Sequence, residues 1–129
     1  MGGTEPRIDG WPWPAELDGP IAAPEQHAVI FENERVRVLQ VTIRPGEVAP
    51  LHTHRRPTLM YVLSGSHFIR RDEAGAIVVD TRAAVPPFEM PPVMWRESNP
   101  AHTLENAGEE DFALIAVELK DGAAASIRS

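Results

Sequence analysis

The sequence predicts an all-β fold, a barrel or jelly roll, and three observations carry that reading. Short apolar runs recur at regular spacing with turn signals between them, and no stretch has a convincing helical pattern. Several of the runs alternate in the two-residue period of a strand, as Arg37, Leu39, Val41 and Ile43 do against Val36, Val38 and Gln40. The third is the stretch GEVAPLHTHRRPTLMYVLSG, Gly46 to Gly65, where His52 and His54 stand two residues apart just ahead of an apolar run. In a strand such a pair shares one face, about 6.5 Å apart along it, so both rings can turn toward one point inside a barrel.

Length and charge set the bounds. With 129 residues the chain is expected to form one domain, long enough to bury a core without disulfides. It has no cysteine, which excludes a disulfide framework, a thiolate nucleophile and a zinc ribbon. Nineteen acidic residues against 12 Lys plus Arg give a formal charge of −7, which argues against nucleic acid as partner. No apolar run approaches the roughly 20 residues that span a bilayer, so no membrane partner is expected. The start, MGGTEPRIDG, lacks the basic-then-apolar pattern of a leader, which predicts a cytoplasmic protein.

Taken in order, residues 1–26 read as an arm. Five of the 13 prolines lie there, which disfavours a helix and a central strand alike. Trp11 and Trp13, in WPWP, are expected to pack on the barrel's outer wall or a partner subunit, with a lid over a pocket as the alternative. Residues 27–120 read as the barrel. His27 to Glu32 is a short strand closed by Asn33-Glu34, and Arg35 to Arg44 is the alternating strand described above. Pro45-Gly46 makes a turn. Thr58 to Leu63 is a strand, Ser64-Gly65 a tight connection into Ser66 to Arg71, and Glu73-Ala74-Gly75 a turn into Ile77 to Asp80. PPFEMPP reads as an extended surface loop, and Val93 to Glu97, Ala101 to Glu105 and Phe112 to Leu119 complete the strands. Residues 121–129, DGAAASIRS, read as a tail.

Fifty residues beyond the first histidine pair, His102 opens a second stretch of similar character, HTLENAG. Two histidines at strand spacing and a distant third are what a metal site on a barrel wall requires. Three neutral imidazoles suit Zn, Fe, Ni or Cu better than Mg or Ca, which want oxygen ligands. The competing reading is a degenerate barrel whose histidines are satisfied by hydrogen bonds and hold no metal.

These residues also carry a resemblance. Gly46, five residues, His52-Thr53-His54, three residues, Thr58, six residues and Gly65 resembles the first cupin motif, and His102, three residues, Asn106 is similar to the end of the second. By that resemblance, which covers about residues 27 to 120, the fold is a small double-stranded β-barrel with the histidines inside, and the protein is a homodimer. Thr58 stands where the family has its metal-binding Glu, and Glu97 and Asn99 stand where the second motif has Pro and Gly. Asn99 is expected to supply the left-handed turn that Gly would. The Thr58 change leaves a three-histidine face of His52, His54 and His102, whose charge no carboxylate offsets, so the site is expected to favour an anionic ligand. Three-histidine cupins include thiol and diketone dioxygenases, so the resemblance permits oxygen chemistry at Fe(II). Hydrolysis, isomerisation and non-enzymatic binding of a small-molecule ligand, with or without metal, use similar sites.

Other side chains are candidates for holding that ligand. Arg55 and Arg56 follow the histidine pair near the expected barrel mouth, where they can fork onto a carboxylate, though a solvated loop pair is the plainer reading. Tyr61, Gln40 and Glu97 are candidate acid, base or orienting groups, but alternation sets Tyr61 opposite Thr58 and Met60, away from the site. Met60, Met94 and Phe68 read as core, His67 as a hydrogen-bonded wall residue and His27 as structural.

Overall fold

The structure, a computed structural model, describes residues 10–120. The tail 121–129 and the first nine residues of the arm lie outside the described residues. Nine strands follow one another: β1 (His27–Glu32), β2 (Val36–Ile43), β3 (Val48–His54), β4 (Thr58–Ser64), β5 (Phe68–Asp72), β6 (Ile77–Asp80), β7 (Val93–Arg96), β8 (Asn99–Asn106) and β9 (Phe112–Leu119). They form two antiparallel sheets, one in the order β1-β2-β9-β4-β7 and one in the order β3-β8-β5-β6. Apart from the β1-β2 and β5-β6 pairs, neighbours in each sheet are strands distant in sequence, which is the double-stranded β-barrel architecture. No helix among the described residues is long and apolar enough to cross a membrane.

The two-residue period decides what faces in. On β9 the burial alternates strictly, so Phe112, Leu114, Ala116 and Glu118 are buried. On β2 the inward set is Arg37, Leu39, Val41 and Ile43, as the alternation predicts. Together with Ala49 and Leu104 the apolar members form the core. Leu39 and Ile43 are fully buried, each contributing roughly 1.5–3 kcal/mol of apolar burial. Met60, Phe68, Met90 and Met94 pack against this core and are only partly buried, because they border a cavity.

Turns sit where the sequence asks for them. Gly46 and Gly75 have φ of 82° and 87°, a conformation that costs a side-chain-bearing residue strain. Asn106, last in the second motif, is structural: its amide donates to the carbonyls of Ile43 and Glu110, both at 2.8 Å, while its oxygen accepts from Ser66 and Gly108. All four of its hydrogen-bonding positions are thus taken, tying three loops together.

Three expectations need correction. Val48–His54, which the sequence reading did not count among its strands, is a strand whose pairing with β8 is irregular around the histidines. The arm is not free of helix: Ala15–Leu17 is a 3₁₀ turn and α1 (Gly19–Ala22) a single α-turn. Pro20 lies in that turn's first positions, where a missing N–H costs nothing. And Asn99 makes no left-handed turn, since no residue other than glycine has positive φ among the described residues. It begins β8, directly opposite His54.

Candidate metal centre and ligand chamber

Between the sheets lies a cavity of about 250 Å³. Four histidines line it: His27 from the start of β1, His52 and His54 from β3, and His102 from β8. His52 and His102 are directly opposite in register, and their ring centroids are 4.3 Å apart. His27, His52 and His54 each offer a ring nitrogen within 4.8 Å of the others. His102 lies farther from His54, at 5.8 Å between centroids. The structure thus sets the three histidines singled out in the sequence on one cavity, but the set whose nitrogens lie within reach of one another is His27, His52 and His54, without His102.

The second nitrogen of each ring has a partner of its own. Nδ1 of His52 lies 2.6 Å from the carbonyl of Pro50, Nδ1 of His102 2.6 Å from that of Pro100, and Nδ1 of His27 3.0 Å from that of Ala23. A carbonyl only accepts, so in each pair Nδ1 carries the proton and Nε2 is left with a lone pair. A hydrogen bond of this kind from the remote nitrogen is what orients a metal-ligating histidine. His54 has a carboxylate instead, its Nδ1 lying 3.8 Å from Oε2 of Glu118.

Burial keeps the rings of His27, His52 and His102 neutral. It pushes His52 down to about 2, His102 to about 3 and His27 to about 4, helped in each case by the other histidines and for His102 also by Arg70 and Arg96. At neutral pH three of the rings are therefore unprotonated, the form that binds a metal.

Glu118 is the carboxylate the sequence reading missed. It is buried, at 2% exposure, and it stands directly across from Thr58 on the neighbouring strand. A carboxylate thus stands one strand away from Thr58, beside His54. Arg37 donates from Nε to Glu118 at 2.7 Å and forks onto both oxygens of Asp18 at 2.8 and 3.0 Å. Burial pushes the Glu118 carboxyl up, but His54 and Arg37 outweigh it and hold it below its usual range. The signal was present in the sequence: the inner set Phe112, Leu114, Ala116 continues in steps of two to Glu118.

The arm closes this side. Asp18 bridges to Thr53 beside the histidine pair. Gly19 is packed so closely that a Cβ there would stand 2.7 Å from Cε1 of His54 and 3.2 Å from Cδ2 of His27. Farther along, Trp11 and Trp13 meet edge to face at 4.9 Å, and Trp13 Nε1 donates to Glu73 at 3.4 Å.

Of the ligand-holding candidates, Arg56 lines the cavity and its guanidinium lies 4.0 Å from Glu118. Arg55 is exposed and does not line it. Tyr61 is 60% exposed on the outward face of β4, where strand alternation puts it. Gln40 and Glu97 are exposed and lie away from the cavity. His67 pairs with Thr81 at 2.9 Å.

Solved structures share this architecture. A cupin domain from Bordetella pertussis matches with a TM-score of 0.57 at 18% identity, over 73% of this chain and 91% of that one. An RmlC-like cupin from Methanocaldococcus jannaschii with a double-stranded β-helix fold gives 0.52 at 10% identity, over 80% and 84%. This chain has the cupin fold. A conserved protein with a double-stranded β-helix domain from Klebsiella pneumoniae gives 0.51 at 18% identity, over 92% and 94%. No protein-family model matches the sequence, and no curated protein does. The likeness is therefore one of fold. Within this fold, Thr58 lines the cavity and donates from its hydroxyl to the Arg56 carbonyl at 2.9 Å. The three-histidine cluster is compatible with a divalent metal.

Proposed function

We propose that this cupin holds a divalent transition metal on its histidine cluster and acts there on a small anionic or chelating organic molecule. The observation that carries the reading is the fixing of His27, His52 and His102 through Nδ1 to backbone carbonyls, which leaves their Nε2 atoms free and unprotonated. A donor set of imidazoles selects Fe, Zn, Ni or Cu. When bound, such an ion supplies Lewis-acid chemistry and, as iron or copper, redox chemistry toward an oxygen-bearing ligand.

The chain's own residues do the rest. Glu118 holds His54 in place and is itself held by Arg37. Because Arg37 and Arg56 together match the charges of Glu118 and Asp18, the site keeps its preference for an anion. The apolar wall of Val41, Ile43, Phe112 and Leu114 limits water around the bound molecule. Dioxygenation is the reaction class this reading favours, on the resemblance to three-histidine cupins. Metal analysis of untagged protein purified without chelator tests the proposal. About one Fe, Zn, Ni or Cu per chain is expected, and His52→Ala should lose it. Wild-type protein that stays metal-free after incubation with all four would refute it.

We further infer a homodimer. On the outer face of one sheet Leu59, Tyr61 and Leu63 of β4 adjoin Val93 and Trp95 of β7, each between 43 and 60% exposed. A contiguous apolar patch of this kind is characteristic of an interface. Light scattering should give the mass of two chains, and Trp95→Glu should return it to one.

A further inference from the structure

The cavity holds a second set of groups that the metal does not need. Arg70 follows Phe68 by two on β5 and Arg96 follows Met94 by two on β7, so alternation turns both guanidiniums inward. Arg37, Arg71, Arg82 and Lys120 each hold a carboxylate. Arg70 and Arg96 hold none among the described residues, and the Nε of each is buried with no hydrogen-bond acceptor. The other buried side-chain atom without a partner there is Oδ1 of Asn99, and all three residues line this one cavity. Burial and the neighbouring Arg96 push Arg70 down to about 10. Two half-buried like charges drawn together with no anion between them are costly, and the cost falls when a ligand supplies the anion.

We propose that Arg70 and Arg96 form a carboxylate-binding subsite, and that the ligand of this cavity is an organic acid with an apolar body. The guanidinium fork matches a carboxylate in two parallel hydrogen bonds. The apolar body follows from what stands beside the arginines: Met60, Phe68, Met94 and Leu114 line the same cavity. A small inorganic anion would leave that surface uncovered. Arg96 also faces Thr58 across β4 and β7, and Thr58 faces Glu118. One row of inward side chains therefore runs Arg37, Glu118, Thr58, Arg96, and it joins the subsite to the group that supports His54. The inference deepens the reading above and rests on it only in taking this cavity as the ligand's chamber. The carboxylate contacts themselves need no metal.

Calorimetric titration of the full chain, as purified and after dialysis against a chelator, tests it with hexanoate, hexanamide and acetate. Hexanoate should bind in both preparations, and hexanamide and acetate at least about tenfold more weakly. Arg70→Gln and Arg96→Gln should each weaken hexanoate about ten- to a hundredfold and leave hexanamide unchanged. Neither arginine is in an ion pair, so both variants should melt no lower than wild type. If either melts early, Arg70→Lys and Arg96→Lys carry the test: charge is kept, the fork is lost, and hexanoate should weaken more than tenfold at unchanged melting temperature. Equal binding of acid and amide, or hexanoate affinity indifferent to both arginines, would overturn the subsite even if metal is bound. Loss of metal in His52→Ala with hexanoate binding retained would leave the subsite standing on its own.

Discussion

Two clusters share one cavity and are finished in opposite ways. In the histidine cluster every side chain has its second partner: three Nδ1 atoms on backbone carbonyls, His54 beside Glu118, Glu118 on Arg37, and Arg37 on Asp18. In the arginine cluster, Arg70 and Arg96 meet no acceptor at Nε and no acid among the described residues. On the functional reading proposed above, the difference separates the place of a permanent occupant from that of a transient one. A resident ion needs ligands already oriented, so their outer partners are built in. A ligand that comes and goes must bring the missing partner itself, and the protein stores the unsatisfied groups until it does.

The sharpest way to break the contrast is to remove the support under the first cluster. Glu118→Gln leaves Arg37, 13% exposed at its side chain, with Asp18 alone. It should destabilise the fold by about 3 kcal/mol, the low end for breaking a buried pair, as read by urea denaturation. A loss under about 1 kcal/mol would mean that Glu118 is not part of a buried network.

Acid sharpens the comparison next. His27, His52 and His102 have folded-state values far below 6.5, so between about pH 4 and 6.5 the unfolded chain binds protons that the folded chain refuses. Stability is therefore full above about pH 6.5 and is lost as pH falls toward 4, by roughly tenfold in the folding equilibrium per histidine per pH unit. Denaturation midpoints of metal-free protein from pH 7 to 4 check this. A flat profile would show that the rings are not held neutral.

The smallest effect belongs to the arm. Gly19→Ala puts a methyl group 2.7 Å from Cε1 of His54, which must shift. Metal affinity should fall about tenfold, the low end for disturbing a ligand's support, while the melting temperature changes little. Unchanged affinity would free the arm from any role at the site.

Much of this was legible in the sequence because strand alternation is a strong signal. Leu39, Val41 and Ile43 stand in the core, and His52, His54 and His102 reach the cavity as their spacing suggests. What was missed has a physical reason in each case. His27 joins the cluster from the first residue of β1, and no periodicity says where a strand's end will be folded. Glu118, Arg70 and Arg96 obey the same alternation as their apolar neighbours, but charged residues are ordinarily on the surface, and that habit outweighed the period. Asn99 was assigned a turn on its composition, whereas pairing with β3 draws it into β8.

The central claim is that His27, His52 and His102 are protonated at Nδ1, and that Nε2 of His27 and His52 is presented to a metal. Nitrogen-15 NMR of the imidazoles, in metal-free protein at pH 7 and after one equivalent of zinc, reads this directly. The account predicts the Nδ1–H tautomer for all three rings before zinc, and a shift of Nε2 resonances, with those of His27 and His52 among them, when it is added. Nε2–H tautomers, or Nε2 signals that zinc leaves unmoved, would contradict it.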